Sequence, residues 1–229
     1  MDKPTKSHMK ALLRIVRYLK NDIGNGLLLN SNPDMELKVH TDSDYAGCPY
    51  SRKSISGYCV LFGQSPISSK SKKQQAISRS SAEAEYRAIA YATCEIIWLQ
   101  ALFKDFHVKL KEPIKLFCDN QSAIFLTKNP VFHERTKHIE IDCHFIREKV
   151  EQGMIQVEYV PSRHQLADIF TKAVSGEDLK RMIDKMGMKN IYNPILSGNV
   201  KESIHFETKY ATQTTNALRH NSGKRKENQ

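Results

Sequence analysis

The chain has 229 residues, of which 40% are hydrophobic and 26% charged, which suits one ordinary domain with extensions or two very small domains. Its formal net charge of +10 favours a polyanionic partner, because basic residues that neutralise phosphates release bound counterions. No apolar run approaches the roughly 20 residues of a membrane span, and no apolar segment follows Met1, so neither a membrane span nor a secretory signal is predicted. The five cysteines form no CxxC pair, which argues against a zinc site and a disulfide framework and predicts buried, reduced side chains.

Within residues 1–30, apolar side chains recur at helical spacing until Gly24 and Gly26, which predicts an amphipathic helix without an evident partner. From Leu37 onward, short segments that predict strands are interleaved with longer helical patterns. The predicted strands cover residues 37–42, 58–62, 65–69, 114–119 and 155–160, and the predicted helices cover residues 80–106, 120–128, 136–151 and 164–173. This order predicts a three-layer α/β fold, in which helices pack on the faces of one sheet.

The pattern fades beyond about Asn190. Residues 176–196 are predicted as a helical extension, and residues 197–229, which are rich in Thr, Asn and Lys, as a disordered basic tail. The basic end of this tail is compatible with a weak nuclear signal, but we favour its interpretation as uninformative polar sequence.

Two of the predicted strands end in an aspartate, Asp42 and Asp119. If the two strands are parallel neighbours, these aspartates meet at the carboxyl edge of the sheet, where α/β proteins usually bind ligands. A glutamate early in the long helix, Glu83 or Glu85, could point to the same place, and Asp168 could complete a ring. Carboxylates gathered in this way repel each other unless cations neutralise them, and two divalent ions about 4 Å apart can promote phosphodiester hydrolysis. The spacing is therefore compatible with a metal-dependent nuclease, although on spacing alone ordinary surface charges are the simpler explanation of these acidic residues.

Seven short motifs follow one another between residues 37 and 187. They are residues 41–48, 52–58, 69–74, 80–88, 118–123, 135–139 and 167–172. Together they closely resemble the ribonuclease H domain of copia-type LTR retrotransposon Pol polyproteins, in the order that this family has. The resemblance implies a ribonuclease H domain at residues 37–175, preceded at residues 1–30 by a remnant of the reverse transcriptase C-terminal region, as in a C-terminal fragment of such a polyprotein.

The resemblance also implies a ribonuclease H-like fold, with a five-stranded mixed sheet and helices on both faces, and it implies roles for the acidic residues. Asp42 would bridge two metal ions, and Asp168 would share with it the ion that activates water. Glu85 matches the helix glutamate of the family better than Glu83, because Tyr-Arg-Ala follows it. Asp119 matches the fourth metal ligand. The implied cofactor is a pair of Mg²⁺ ions, with Mn²⁺ as the alternative.

The implied activity is an endonuclease that cuts the RNA strand of an RNA–DNA hybrid, which it would recognise through groove shape and 2′-hydroxyl contacts. His164 lies where related enzymes often carry a histidine on a mobile loop, so it is a candidate for proton transfer or product release, although an exposed loop histidine is the simpler account. The implied partners are the hybrid and the reverse transcriptase domain of the parent polyprotein, without a membrane, and the implied location is a cytoplasmic virus-like particle. The candidates for nucleic-acid binding are Lys70, Lys72, Lys73, Arg79 and Asn120, although a solvated loop is the simpler explanation of the polar stretch that contains most of them, when that stretch is taken alone.

The sequence departs from the family pattern at three positions. Ser69 and Tyr45 stand where the family usually has tryptophan, and Tyr50 stands where an acidic residue is common. If the ring replaced by Ser69 were buried, its loss would cost about 3–5 kcal/mol and would indicate a decayed element. Two alternatives to the nuclease therefore remain: a catalytically silent nucleic-acid-binding module, and an integrase-type or transposase-type nuclease, which normally carries three acidic residues.

Overall fold

The computed structural model describes residues 3–21, 23–29, 34–128, 139–190 and 192. The chain divides into two compact units, one at Leu27–Met188 and one formed by the residues on either side of it. The predicted tail at residues 197–229 and most of the motif at residues 135–139 lie outside the described residues. Within the described ranges, no helix combines the length and the apolar content that are needed to cross a membrane.

The elements alternate as the sequence predicts, beginning with a helix in the first 30 residues. In chain order they are α1 (Lys6–Asn21), β1 (Asn25–Leu27), β2 (Leu37–Asp44), β3 (Ile55–Phe62), β4 (Ser65–Lys73), α2 (Ser81–Asp105), β5 (Ile114–Cys118), α3 (Gln121–Lys128), α4 (Glu140–Glu151), β6 (Ile155–Tyr159), two 3-10 turns (Ser162–His164 and Leu166–Phe170), α5 (Gly176–Lys185) and β7 (Met188–Asn190). Strands β1 and β7 pair in a small two-stranded sheet.

The main sheet has five strands in the order β4-β3-β2-β5-β6. Strand β3 is antiparallel to both β2 and β4, whereas β2, β5 and β6 run parallel. The sheet is therefore mixed. The two strands predicted to end in aspartates, β2 and β5, are parallel neighbours at its centre.

Each face of the main sheet carries its own apolar layer, because side chains alternate between the faces along a strand. On β3, Tyr58 and Val60 belong to the larger core, which includes buried side chains of α2, α3 and α4. Cys59 and Leu61 belong to a second cluster on the other face. That cluster is completed by Leu166, Met182 and Met186, from the second 3-10 turn, α5 and the residue after α5. The predicted three-layer α/β fold, with a five-stranded mixed sheet and helices on both faces, is thus confirmed.

The helix predicted at residues 164–173 is wrong, because two 3-10 turns cover most of this segment. Gln165, between the turns, has an extended backbone with φ −75° and ψ 106°, and its side chain accepts a hydrogen bond from the Ala167 amide. This side-chain contact competes with the helical backbone pattern.

Two smaller differences concern exposure. Strand β4 continues to Lys73 rather than ending near residue 69. The sequence does not indicate this extension, because the polar side chains of an edge strand face water and give no alternating apolar signal. The expectation of buried cysteines holds for Cys59, Cys118 and Cys143 but is wrong for Cys94, which is exposed, and Cys48 is only partly buried.

Candidate active site

The carboxyl ends of β2 and β5 bring two aspartates together. The parallel register pairs His40 with Phe117, so Asp42 and Asp119 each follow that pair by two residues on neighbouring strands. Asp168 approaches the same edge from the second 3-10 turn. One carboxylate oxygen from each of the three aspartates lies within 4.8 Å of the other two.

Helix α2 contributes Glu85 from its first turns. Ser80 caps this helix and fixes its start, because its side chain accepts a hydrogen bond from the Glu83 amide at 3.1 Å. The Glu85 side chain is buried and accepts a hydrogen bond from the Ser43 amide at 3.0 Å. It also lies within 4.8 Å of a carboxylate oxygen of Asp119. Four elements therefore supply what we call the acidic cluster, which consists of Asp42, Glu85, Asp119 and Asp168.

Glu83, the other candidate on this helix, is engaged elsewhere. Its carboxylate accepts a hydrogen bond from the Arg79 amide at 2.8 Å and forms an ion pair with Arg87 at 3.0 Å. Both contacts stabilise the start of α2. This local role supports the choice of Glu85 over Glu83 for the site.

Hydroxyl and ammonium groups surround the acidic cluster. The Thr171 hydroxyl donates a hydrogen bond to Asp42, and the Ser162 hydroxyl donates one to Asp119 at 2.6 Å. The Lys172 ammonium lies 3.1 Å from an oxygen of Asp168 and 3.7 Å from an oxygen of Asp42. These groups fix the carboxylates and partly neutralise them.

The sequence analysis missed these three residues. Thr171 and Lys172 lie within the motif at residues 167–172, and the separation of four residues between Asp168 and Lys172 is the usual spacing of a helical ion pair. This spacing could have indicated the contact. Ser162 has no such signal, because it lies in a 3-10 turn next to Asp119 only in the folded chain.

Burial and mutual repulsion raise the pKa values of Asp42, Glu85 and Asp168. The pKa of Glu85 is raised to about 9, first by burial and then by the charges of Asp42 and Asp119. The pKa of Asp168 is raised to about 6 by burial and by Asp42. Burial also raises the pKa of Asp42, against the opposing effects of the Thr171 hydrogen bond and the Lys172 charge. Carboxylate oxygens that lie this close together repel one another, and a hard divalent cation would relieve this repulsion. The cluster could therefore hold a metal ion.

Gly57 allows the second 3-10 turn to approach the sheet closely. It is the antiparallel partner of Asp42 on β3. A Cβ atom at this position would lie 2.7 Å from Cγ2 of Thr171 and 2.8 Å from Cβ of Phe170. Only a residue without a side chain fits here, and the position of Asp168 beside Asp42 depends on this fit.

His164 lies in the first 3-10 turn, beside the cluster in sequence. Its Nδ1 atom is 2.9 Å from the Lys185 ammonium, and the charge of Lys185 is the main cause of a lowered His164 pKa. The structure thus places this candidate against α5, in contact with a lysine.

The basic candidates lie mainly on the edge strand β4. Lys70, Lys72 and Lys73 are all exposed there, opposite Tyr58, Ser56 and Ile55 of β3. Lys70 and Lys72 line a small pocket against α2, in which the Lys72 ammonium lies 5.8 Å from the Tyr91 ring centre, and Lys73 lies 3.9 Å from the Cys48 sulfur. The lysines therefore project from both sides of one strand. The solvated loop that would explain these lysines more simply is wrong for them, because they lie on β4.

The other two candidates lie beside helix starts. Arg79 is exposed just before α2, with its backbone amide bound to Glu83. Asn120 precedes α3, where its side-chain oxygen accepts a hydrogen bond from the Ala123 amide at 3.0 Å. Asn120 therefore has a structural role as a helix cap, whatever else it contacts.

The departures from the family pattern lie on the surface. Ser69, Tyr45 and Tyr50 are all exposed. Because Ser69 lies on the open edge strand, its replacement of a tryptophan leaves no cavity in the core. The loss of stability considered for a buried ring at this position therefore does not arise.

Comparison with known proteins includes polyproteins of transposons among its matches. The chain is 40% identical over 191 residues to the retrovirus-related Pol polyprotein from transposon RE1 of Arabidopsis thaliana, covering 83% of this chain but only 13% of that polyprotein. It is 37% identical over 188 residues to the corresponding polyprotein from transposon TNT 1-94 of Nicotiana tabacum, covering 82% of this chain and 14% of the relative.

Solved structures include a similar ribonuclease H domain, although the likeness is distant. The N-terminal ribonuclease H domain of a Mycobacterium tuberculosis protein, solved as a fusion with maltose-binding protein, has a TM-score of 0.45 and 13% sequence identity, covering 65% of this chain and 96% of that one. No protein-family model matches the chain. The sequence identities of 40% and 37% nevertheless extend over more than 80% of its length. The chain therefore belongs to the copia-type, retrovirus-related Pol polyproteins of transposons, of which it spans a short segment.

Proposed function

We propose that this chain is a metal-dependent ribonuclease H, which hydrolyses the RNA strand of RNA–DNA hybrids during retrotransposon reverse transcription. The observation that carries the proposal is the acidic cluster, in which carboxylates from four elements converge at the carboxyl edge of the sheet. Membership of a retrovirus-related Pol family supports the hybrid as substrate, since such a polymer arises when RNA is copied into DNA.

Asp42, Glu85, Asp119 and Asp168 would hold the metal, for which Mg²⁺ fits best, with two ions bound and Mn²⁺ as the alternative. When bound, such ions would lower the pKa of a water molecule and stabilise the leaving oxygen of a phosphodiester. The cluster offers mainly carboxylate oxygens, and the neighbouring Cys118 sulfur is held as a thiol because burial raises its pKa. This donor set favours hard cations over zinc.

The protein's own groups hold these carboxylates in place. The Thr171 and Ser162 hydroxyls donate to Asp42 and Asp119, which fixes the direction of each carboxylate. Lys172 partly neutralises Asp42 and Asp168, so the cluster can form before a cation binds. Such outer contacts commonly change metal affinity by 10- to 100-fold.

The basic edge strand would hold the substrate. Lys70, Lys72 and Lys73, with Arg79 nearby, place positive charge that phosphates can contact without reading base sequence. Asn120, next to Asp119 in sequence, could donate from its amide nitrogen while its oxygen caps α3. Choice of the RNA strand would come from 2′-hydroxyl contacts.

His164 would assist proton transfer or product release. Its location two residues before the 3-10 turn that carries Asp168, in contact with Lys185 of α5, supports this role, and its lowered pKa would keep the ring neutral near pH 7. The reverse transcriptase region of the parent polyprotein is the expected protein partner. Action in a cytoplasmic virus-like particle, or alternatively in the nucleus, is a prediction from the resemblance.

The test is Mg²⁺-dependent cleavage of a labelled RNA–DNA hybrid by the purified chain. Asp42→Asn should lower the rate by at least about 1000-fold, because several kcal/mol of electrostatic stabilisation of the transition state are lost. Asp178→Asn, a change to a half-exposed carboxylate at the start of α5, should cleave like the wild type and serves as the control.

Each outcome separates the candidate functions. Cleavage by the wild type and by Asp178→Asn, but not by Asp42→Asn, supports the proposal. The silent binding module is favoured if the folded wild type binds the hybrid without metal and cleaves it with neither Mg²⁺ nor Mn²⁺. A preference for duplex DNA would instead favour the integrase-type nuclease.

A further inference from the structure

Gln165 is fully buried between the two 3-10 turns, and the roles considered so far do not include it. A buried amide needs partners for its two N–H groups and its oxygen, since an unsatisfied polar group costs stability. The partners of this amide lie on three different elements. Each of these elements either contains an aspartate of the acidic cluster or ends directly before one.

The amide nitrogen of Gln165 bridges the two central strands. It donates to the carbonyl oxygen of Thr41 at 2.9 Å and to that of Phe117 at 3.2 Å. These carbonyls lie one residue before Asp42 and two residues before Asp119. The amide is therefore bound to both strands directly before the residues that must meet.

The position of this bridge matters because the backbone pairing of β2 with β5 ends just there. The parallel register runs from Lys38 with Lys115 to His40 with Phe117 and goes no further. Asp42 and Asp119 both lie beyond the last pair, where neighbouring strands are free to separate. The Gln165 amide continues the connection between the strands past the end of their ladder.

The amide oxygen of Gln165 connects the third element. It accepts a hydrogen bond from the Ala167 amide at 3.3 Å, immediately before Asp168, and lies 3.2 Å from Nδ1 of His40. His40 in turn stacks on Phe117, with 4.9 Å between ring centres. One side chain thus joins β2, β5 and the turn that carries Asp168.

We propose that Gln165 is a positioning residue, which sets the separation of Asp42 and Asp119 and holds the Asp168 turn against them. It touches neither substrate nor the carboxylates themselves. Its effect on chemistry would pass through the spacing of the metal-binding oxygens, so this inference rests on the proposed metal site. A 1 Å change in such spacing is enough to weaken a metal site or slow a reaction.

The experiment compares metal binding by the full 229-residue chain and two variants, with Mn²⁺ as the probe in titration calorimetry. Gln165→Met keeps the length of the side chain and removes every hydrogen bond. Gln165→Glu keeps the oxygen for Ala167 and His40, and loses the donors to Thr41 and Phe117. A carboxylate at this position adds negative charge, which alone would strengthen cation binding, so weaker binding by this variant is not a direct effect of its charge on the cation.

Thr93→Val is the matched control. Thr93 is also fully buried, and its hydroxyl donates to the Ile89 carbonyl within α2, outside the acidic cluster. The change is isosteric and removes one buried hydrogen bond. It should lower the melting temperature without changing Mn²⁺ affinity.

We expect both Gln165 variants to bind Mn²⁺ at least about tenfold more weakly than the wild type and the control, the range typical of outer-shell changes. In the cleavage assay, the metal concentration at half-maximal rate should rise by a similar factor, while KM for the hybrid stays unchanged. Wild-type Mn²⁺ affinity in either folded variant would overturn the positioning role, as would an equal loss in Thr93→Val. If the wild type binds Mn²⁺ but never cleaves, the nuclease proposal fails, while weaker binding by the variants still supports the role of Gln165.

Discussion

The acidic cluster and the basic strand β4 meet different physical demands. In the cluster, oxygens of Asp42, Asp119 and Asp168 lie within 4.8 Å of one another, and Glu85 lies within 4.8 Å of Asp119. The cost of this proximity shows in the raised pKa values of Glu85 and Asp168. On β4, Lys70, Lys72 and Lys73 are exposed to water along a sheet edge. Chemistry at a phosphodiester requires fixed positions, whereas attraction to a polyanion requires only net charge over a surface. Changes in the cluster should therefore have large effects that depend on geometry, and changes on β4 small effects that depend on salt.

After Asp42→Asn, the next largest effect should come from Glu85→Gln, which keeps the shape of the side chain and removes its charge. Hybrid cleavage at saturating Mg²⁺ should fall at least about 100-fold, because one metal ligand is weakened. Glu83→Gln is the matched control from the same helix, since its partners are Arg79 and Arg87. Equal losses of activity in the two variants, with both folded, would contradict the assignment of Glu85.

The same variant should also change the pH dependence of stability without metal. The pKa of Glu85 is raised to about 9 in the folded chain, from an ordinary value of 4.5. A raised carboxyl pKa contributes stability that is complete below pH 4.5 and is lost progressively up to about pH 9, because the unfolded chain ionises first. At pH 7 the free energy of unfolding of Glu85→Gln should therefore be higher than that of the wild type by up to about 3 kcal/mol. The variant should accordingly unfold at a higher denaturant concentration.

This prediction is checked by urea unfolding in EDTA at pH 4.5, 7 and 9. The gap between variant and wild type should nearly close at pH 4.5 and widen towards pH 9. A gap independent of pH would show that Glu85 is already ionised in the folded chain. Loss of activity combined with gain of stability would mark a residue kept for function.

A moderate effect should follow from charge reversal on the basic strand. Lys70→Glu combined with Lys72→Glu should weaken hybrid binding about tenfold at 0.1 M salt and lower the slope of log affinity against log salt by roughly 2. The rate at saturating hybrid should stay unchanged. Lys109→Glu, an exposed position after α2, is the control, and an unchanged slope in the double variant would remove β4 from the substrate surface.

The smallest effect should come from Lys172→Met. The ammonium pairs with Asp42 and Asp168 but is 41% exposed, so its loss should cost about 1 kcal/mol or less without metal. Metal should compensate for this loss, so the rise in melting temperature on adding Mg²⁺ should be larger for the variant than for the wild type. An equal rise in both proteins would show that Lys172 and the cation do not act on the same carboxylates.

Much of this arrangement could be predicted from sequence, where the chain is regular. The central strands could be placed because their apolar pattern runs directly into Asp42 and Asp119, and long α2 because its periodicity extends over many turns. The choice between Glu83 and Glu85, two residues apart on that helix, needed the motif that follows Glu85, because both lie in its first turns.

The irregular segment after β6 could not be predicted. Ser162 and Gln165 act through contacts with residues more than 40 positions away, and no local period signals such contacts. The segment was expected to be helical, and the side chain of Gln165 is one physical reason that it is not. The extent of β4 could not be predicted for a related reason. The second half of this edge strand is exposed on both faces, so its sequence shows no alternation of apolar and polar residues.

The close contact at Gly57 has a consequence for how such elements lose function over generations. A single added methyl group there would clash with the segment that carries Asp168, since it would lie 2.7 Å from Cγ2 of Thr171. Asp42 and Asp168 would be pushed apart although neither was mutated. A transposon copy could thus inherit all four acidic residues and still be inactive, so an inventory of those residues overestimates how many copies can act. Retention of glycine at this position is therefore a further requirement for an assembled cluster, and this chain meets it.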